Sequence, residues 1–465
     1  MRATAFTTRR RLYQRTSSGG IALNWGEMTT PERWICGYFT ALPLLWLLGL
    51  MLPVALLVVF GTLVRFVQSP RSYALSLPWL LVALGQSVAV AYNMVEQSQP
   101  AVMLAKHALS SYLLGWYVLW ASICIGTSGL IRPEVFVRAV ARIGFYYVLL
   151  ALVAYPIALL SDAQFLFLVS PVGRLMPPDL SATNFSFGIF VYAWDNLFGA
   201  VLPRLGLFFP WTSVGGYAGI FLIFITANEA EPRLRRLAIF SGVFMVLASL
   251  SRLAWVTCVA CLAFRWFLGW RSQARYLGAT LGLAAAVLGV ITLGTPDEAV
   301  HEASAALESA RPDASQARNF IYGATWKAID DAPVIGHGWP GGAVIADVSD
   351  TLFGGGGPSM VIGSHSTVSG LIYKGGWLTF SLFVAAMLYT AGMLMAARAS
   401  PAIAHSTLAV LLSVAMTCVG ESLESLIVPT VFGYIWIGIA LDRCQPPSMA
   451  APAEKRAVLP RALTG

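Results

Sequence analysis

One histidine and three arginines stand in settings from which chemistry could follow. Gly363-Ser-His365-Ser-Thr367 delivers His365 to the first turn of an apolar run, with Ser366 or Thr367 placed to cap it. The positive end of a helix dipole favours neutral imidazole, and neutral imidazole is what a general base requires. The same placement suits a histidine that caps a helix or anchors a loop. Arg252 lies in Ser249-Leu-Ser-Arg252 between two short apolar stretches. Arg204 begins Arg204-Leu-Gly-Leu-Phe-Phe-Pro210, and Arg318 begins Arg318-Asn-Phe-Ile-Tyr-Gly-Ala-Thr-Trp326. An arginine held at a membrane edge is costly unless paired. Three of them fit an anionic lipid, whose phosphate oxygens match the guanidinium fork. The alternative for each is snorkelling to headgroups, or pairing with Asp195, Asp330, Glu421 or Glu424.

The other candidates carry less. His107 and His405 sit at the ends of apolar runs, His301 in a polar helix, and His337 in the turn Gly336-His-Gly338. Cys36, Cys124, Cys258, Cys261, Cys418 and Cys444 lie in apolar runs or the tail, where buried small residues are the ordinary reading.

What must position these residues is a membrane bundle. Of the 465 residues 57% are hydrophobic and only 11% charged, and mean hydropathy is +0.70. So few charges cannot dress a soluble fold, and the chain reads as an all-α polytopic membrane protein. Apolar segments recur at 36–50, 53–67, 74–93, 108–131, 143–160, 209–227, 237–250, 254–268, 276–294, 367–395, 402–420 and 425–441. The run 36–67 reads as two short helices turned near Gly49 and Pro53, because only then do Arg132, Arg138 and Arg142 share a side with the other arginine loops. The expectation is about twelve transmembrane helices with both termini cytoplasmic.

Sorting charge by side then explains the net +8. The cytoplasmic side receives 22 basic and 7 acidic residues, the outer side 8 basic and 15 acidic. The basic excess is therefore topology and implies no nucleic acid. Residues 1–35 form a basic arm, with Arg9, Arg10, Arg11 and Arg15 and no apolar core, which argues against a cleavable signal.

The remaining parts are a membrane domain at 36–295, an outer loop at 296–366, a second membrane portion at 367–441 and a tail at 442–465. The long outer loop joins spans nine and ten and is partly helical, with helices expected at 296–310 and 315–331. A loop of that size usually has a function of its own. The outer stretch 184–203, interrupted by Asp195, is expected to lie in the interface or re-enter without crossing. Phe165, Phe167, Phe185, Phe187, Tyr192 and Trp194 nearby can flank lipid or sugar, interfacial packing being the alternative.

At this point the pattern resembles the O-antigen ligase and polysaccharide polymerase superfamily of bacterial inner-membrane glycan transferases. His365-Ser366 followed by Gly376 resembles the histidine motif that closes their long periplasmic loop. Arg318 to Trp326, then Pro333-Val-Ile-Gly336-His-Gly338, resembles the helix and glycine turn earlier in that loop. Ser251-Arg252 and Arg204-Leu-Gly206-Leu-Phe-Phe-Pro210 resemble two further motifs. The likeness covers roughly 200–395. The chain departs from the pattern at Ser366, Lys374 and Thr379, where family members often carry asparagine, an acidic residue and glycine.

The resemblance implies transfer of a glycan from undecaprenyl diphosphate to an acceptor sugar hydroxyl at the periplasmic face. His365 would deprotonate the acceptor, which attacks the anomeric carbon with inversion. Arg252, Arg318 and Arg204 would hold the diphosphate, with Ser366, Glu421 and Asp330 in support, and no metal or cofactor is implied. Implied partners are the lipid-linked donor, a saccharide or lipid-linked acceptor, membrane lipid and other export or assembly proteins. The departures favour a polymerase of exopolysaccharide or O-antigen repeats over a ligase that completes lipopolysaccharide on the lipid A core. A flippase of lipid-linked oligosaccharide is the reading from another class. It requires charges near the bilayer midplane and broken helices in paired positions, neither of which the sequence displays.

Overall fold

The computed structural model describes residues 25–98, 100, 111–161, 163–175, 187–197, 200–269, 312–341, 343–345, 360–364, 366–396, 400–427 and 429–444, with backbone alone at 111–112, 196–197, 312–320, 343–345, 360–361 and 425. The helices are α1 (Thr30–Leu48), α2 (Met51–Phe66), α3 (Pro70–Glu96), α4 (Ser111–Thr127) and α5 (Pro133–Leu160), then α6 (Thr212–Thr226), α7 (Pro232–Ala248) and α8 (Arg252–Leu268). The later ones are α9 (Pro312–Ile329), α10 (Thr367–Met395), α11 (Pro401–Gly420), the short α12 (Leu423–Leu426) and α13 (Val431–Arg443).

Helix covers every expected apolar segment except 276–294, which lies outside the described residues, as does 296–310. The helix expected at 315–331 is α9. Helices α3, α5, α10 and α11 are long and apolar enough to cross a membrane; α2, Leu113–Thr127 of α4, and α6 are shorter apolar helices. Outward faces support the same solvent: Leu57, Val64, Val95, Leu152 and Leu160 are all exposed, Leu160 to 88%. An apolar exterior of this kind is costly in water and ordinary in lipid.

The run 36–67 does divide, at Gly49. Its φ of 75° is left-handed, and its N–H closes α1 on Leu45 and Trp46 carbonyls. Helix α5 starts ten residues earlier than the expected 143. Arg138 and Arg142 thus belong to a helix and not to a loop, and both are buried. Arg138 pairs with Glu229 at 3.3 Å, and Arg142 Nη1 donates to Thr40 Oγ1 at 3.0 Å.

The all-α expectation needs correction. Strands β1 (Phe165–Val169), β2 (Gly188–Leu197) and β3 (Ala200–Leu205) form an antiparallel sheet in the order β1-β2-β3. The stretch 184–203 is therefore largely sheet, neither a crossing helix nor a helical re-entrant segment. Aromatic and β-branched residues, as in Phe-Leu-Phe-Leu-Val and Ile-Phe-Val-Tyr, suit a pleated surface better than a helix. Tyr192 and Leu205 are paired in register and wholly buried. Tyr147 of α5 donates to the Leu205 carbonyl at 3.0 Å, and its ring meets Phe208 and Phe209. The sheet is thereby keyed into the bundle at Arg204-Leu-Gly-Leu-Phe-Phe-Pro210. A two-stranded pair, β4 (Ala343–Ile345) and β5 (Met360–Val361), lies beyond α9.

Candidate functional site

Strand β3 sets the first arginine. Arg204 Nη1 donates to Asp195 Oδ2 at 2.7 Å and Nε donates to the Ser249 carbonyl at 2.9 Å. The ion pair is largely enclosed, with side chains 16% and 9% exposed, so the pairing with Asp195 left open above is the one realised. The second bond ties Arg204 to the turn between α7 and α8. In that turn Leu250 has a φ of 47°, an unusual backbone for a branched side chain. Hydroxyls hold it there: Ser249 Oγ donates to Val246 O at 2.7 Å and accepts from Ser251 N at 3.2 Å, while Ser251 Oγ accepts from Ala254 N at 3.3 Å and so caps α8. Arg252 is the first residue of α8. Its cation stands at the end of the helix that already attracts anions, three residues from the carbonyl that holds Arg204.

The second piece is a break in α10. Gly376 has φ 67° and ψ 178°, a conformation open to glycine alone. Here the chain 333–338 is spliced into the helix. Trp377 and Leu378 N–H donate to the Pro333 and Val334 carbonyls, at 2.8 and 3.2 Å, in place of Tyr373 and Lys374. The carbonyls of Tyr373 and Lys374 accept instead from His337 and Gly338 N–H, each at 2.8 Å. Two helical bonds are exchanged for four cross-bonds, so the groups released at 373, 374, 377 and 378 all find partners. Side chains of α3 brace the insert: Gln86 Nε2 donates to Gly338 O at 3.0 Å and Asn93 Nδ2 to Gly336 O at 2.8 Å. His337 stacks on Tyr373 at 4.4 Å, with Nε2 2.8 Å from the Ala328 carbonyl of α9. Thr325 of α9 accepts from Gly363 N at 3.0 Å. Helix α9 is thus fixed to both the splice and the approach to α10.

The third piece is the start of α10. Ser366 occupies the cap position, but its hydroxyl makes no cap bond and donates instead to the Cys418 carbonyl of α11 at 3.2 Å. Thr367 donates through N–H and hydroxyl to the Glu421 carbonyl, at 3.0 and 2.8 Å, and its hydroxyl accepts from Leu423 N at 2.6 Å. Glu421 is 8% exposed. Gly420, beside it, leaves room for Leu253, the neighbour of Arg252. The start of α10 and the start of α8 therefore meet across the end of α11.

Residues 237–384 match the family model described as O-antigen ligase. This segment is about a third of the chain, and the match supports the likeness to the O-antigen ligase and polysaccharide polymerase superfamily. Comparison with curated proteins gives no match. The O-antigen ligase segment runs from α7 into α10 and includes Arg252, Arg318, Asp330, His365, Ser366 and the break at Gly376, while Arg204, Glu421 and Glu424 lie outside it.

Among the expected site residues, the fold brings together Arg204, Arg252, Ser366 and the Glu421 backbone. Asp330 is exposed in the turn after α9. The side chain of Arg318 and the whole of His365 lie outside the described residues, although Ser364 and Ser366 on either side of His365 are described. Of the aromatic residues, Phe165, Phe167, Tyr192 and Trp194 belong to the sheet and Phe185 lies outside the described residues. Sequence reasoning missed Gln86, Asn93 and the buried Lys374–Glu424 ion pair. A polar residue seven positions from another within one apolar run was the available signal for the first two.

Proposed function

We propose that the protein is a glycosyltransferase of the bacterial inner membrane. It moves a saccharide from undecaprenyl diphosphate onto an acceptor sugar hydroxyl at the periplasmic face, with both termini cytoplasmic and about twelve spans. His365 takes the proton of the acceptor hydroxyl, whose oxygen attacks the anomeric carbon with inversion as the bond to the diphosphate breaks. Arg252 and Arg318 stabilise the charge growing on the leaving diphosphate. Arg204, engaged with Asp195 and Ser249, holds the turn that carries Arg252 and adds to the positive field. Ser366 and Glu421 fix the start of α10, and Asp330 plays an outer supporting part. The observation that supports this reading is the junction of Thr367, Glu421, Gly420 and Leu253, which brings the start of α10 to the start of α8, where Arg252 stands.

Polymerisation of exopolysaccharide or O-antigen repeats is preferred to ligation onto the lipid A core. The break at Gly376 and the buried Lys374–Glu424 pair are features a flippase would also have. They correct the sequence argument against that reading, though one broken helix among the described residues is not the paired set it requires. Arg318→Ala, made in the producing cell and followed through its lipid-linked glycans, separates the three. The enzyme reading predicts donor accumulating on the outer leaflet at unchanged protein level. Single repeat units indicate a lost polymerase and long chains a lost ligase. Donor trapped on the cytoplasmic leaflet overturns the enzyme reading in favour of transport.

A further inference from the structure

Between the start of α10 and its break, every residue from Thr367 to Gly376 is buried. This short buried length includes one full charge, Lys374, whose ammonium pairs with the Glu424 carboxylate of α12; the two side chains are 3% and 4% exposed. Helical side chains slant towards the N-terminus. Lys374 Nζ accordingly lies one turn back, 3.6 Å from where a Cβ on Gly370 would stand. The segment 421–424 therefore grips this length twice. Glu421 O and Leu423 N hold Thr367 at its first turn, and Glu424 holds Lys374 at its last. Thr367 and Lys374 are seven residues apart, on one face of the helix. On the far side of the break, the 333–338 splice fixes the same length through backbone bonds.

A buried ion pair contributes little net stability, because desolvating both charges offsets their attraction; its best-attested use is to fix register. We propose that Lys374 and Glu424 are a positioning pair for the transfer reaction. They lock the rotation and axial register of Thr367–Gly376, and so fix how Ser366 and Thr367 sit against the end of α11, which also meets the Arg252 turn. This rests on the reaction proposed above, in which His365 is the base.

The test uses full-length protein in nanodiscs, with lipid-linked saccharide extracted from the producing cells as donor. K374M/E424M removes both charges of the pair at similar volume. It should retain the fold, lose about tenfold or more in kcat with KM within about twofold, as expected of misplaced groups, and show faster amide exchange over 366–371 with α11 unchanged. K374R, which preserves the pair, should keep most of the activity. If the double variant does not fold, K374Q/E424Q, which removes both charges and retains polar ends that can bond each other, is read in the same way. Wild-type kcat in the folded double variant, or unchanged exchange over 366–371, overturns the proposal. Exchange needs no substrate, so the pair is judged separately even if His365→Ala proves active and the reaction itself is misread.

Discussion

The starts of α1 and α10 are built from similar residues to opposite ends. At α1, Thr29 Oγ1 accepts from Glu32 N at 3.4 Å while Glu32 Oε2 accepts from Thr29 N at 2.9 Å, a reciprocal capping box. The same carboxylate takes Arg132 Nε at 2.7 Å and Nη2 at 2.8 Å, a fork that clamps α5 onto α1. This helix start satisfies itself. At α10 the cap residue turns away to Cys418, the next hydroxyl bridges to Glu421 and Leu423, and the helix breaks at Gly376. Polar groups at α1 hold one helix in place, whereas those at α10 are wired to three other segments. The difference separates a terminus held by one neighbouring helix from one joined to several segments around the proposed site.

The comparison is sharpened first at the arginine turn. Arg252→Ala should lower turnover by about 10²–10³-fold, in the range of removing a preorganised charge-stabilising donor, with folded yield unchanged. Steady-state transfer from lipid-linked donor checks this, and a loss confined to KM would point to uniform binding. Next comes the break. Gly376→Ala forces a side chain into a positive φ beside the Val334 backbone, and should cost about 1–3 kcal/mol, read as a lower unfolding midpoint with activity falling alongside folded yield.

The smallest effect belongs to α1. Burial raises the Glu32 carboxyl, but hydrogen bonds from Arg132 and Thr29 outweigh it and hold the group below its ordinary value of 4.5. A carboxyl lowered on folding adds stability above its unfolded value and loses it as pH falls through the folded one. Glu32→Gln should thus cost about 1–2 kcal/mol near neutrality. The gap to wild type should narrow as pH drops below 4.5. Transfer activity per folded molecule should not change. A fall in that activity would erase the distinction between the two helix starts.

Much of this was legible in the residues. Hydropathy located the helices because lipid leaves backbone groups no partner but one another, and Gly49 marked the division of α1 from α2. The 165–205 sheet was hidden, since aromatic and β-branched residues serve an interface and a strand alike. Arg138 and Arg142 were placed in a loop because hydropathy alone ignores a buried partner such as Glu229. At the site, Arg252 in a short turn between two apolar runs was legible, but the bond from Arg204 to the Ser249 carbonyl, 45 residues on, was not. Nor was the splice of 333–338 into α10. It depends on Gln86 and Asn93 and on bonds between chain segments far apart in sequence. Lys374 looked like a departure from a motif until Glu424, fifty residues on, supplied its partner.

The proposed reaction turns on His365, next to the start of α10 in sequence, removing the acceptor proton. Transfer by His365→Ala, measured with purified protein, lipid-linked donor and acceptor at matched folded protein, tests it most directly. The account predicts a loss of about 10²–10⁴-fold in kcat, as for removal of a general base, with the unfolding midpoint unchanged. Full transfer activity in that variant would contradict it.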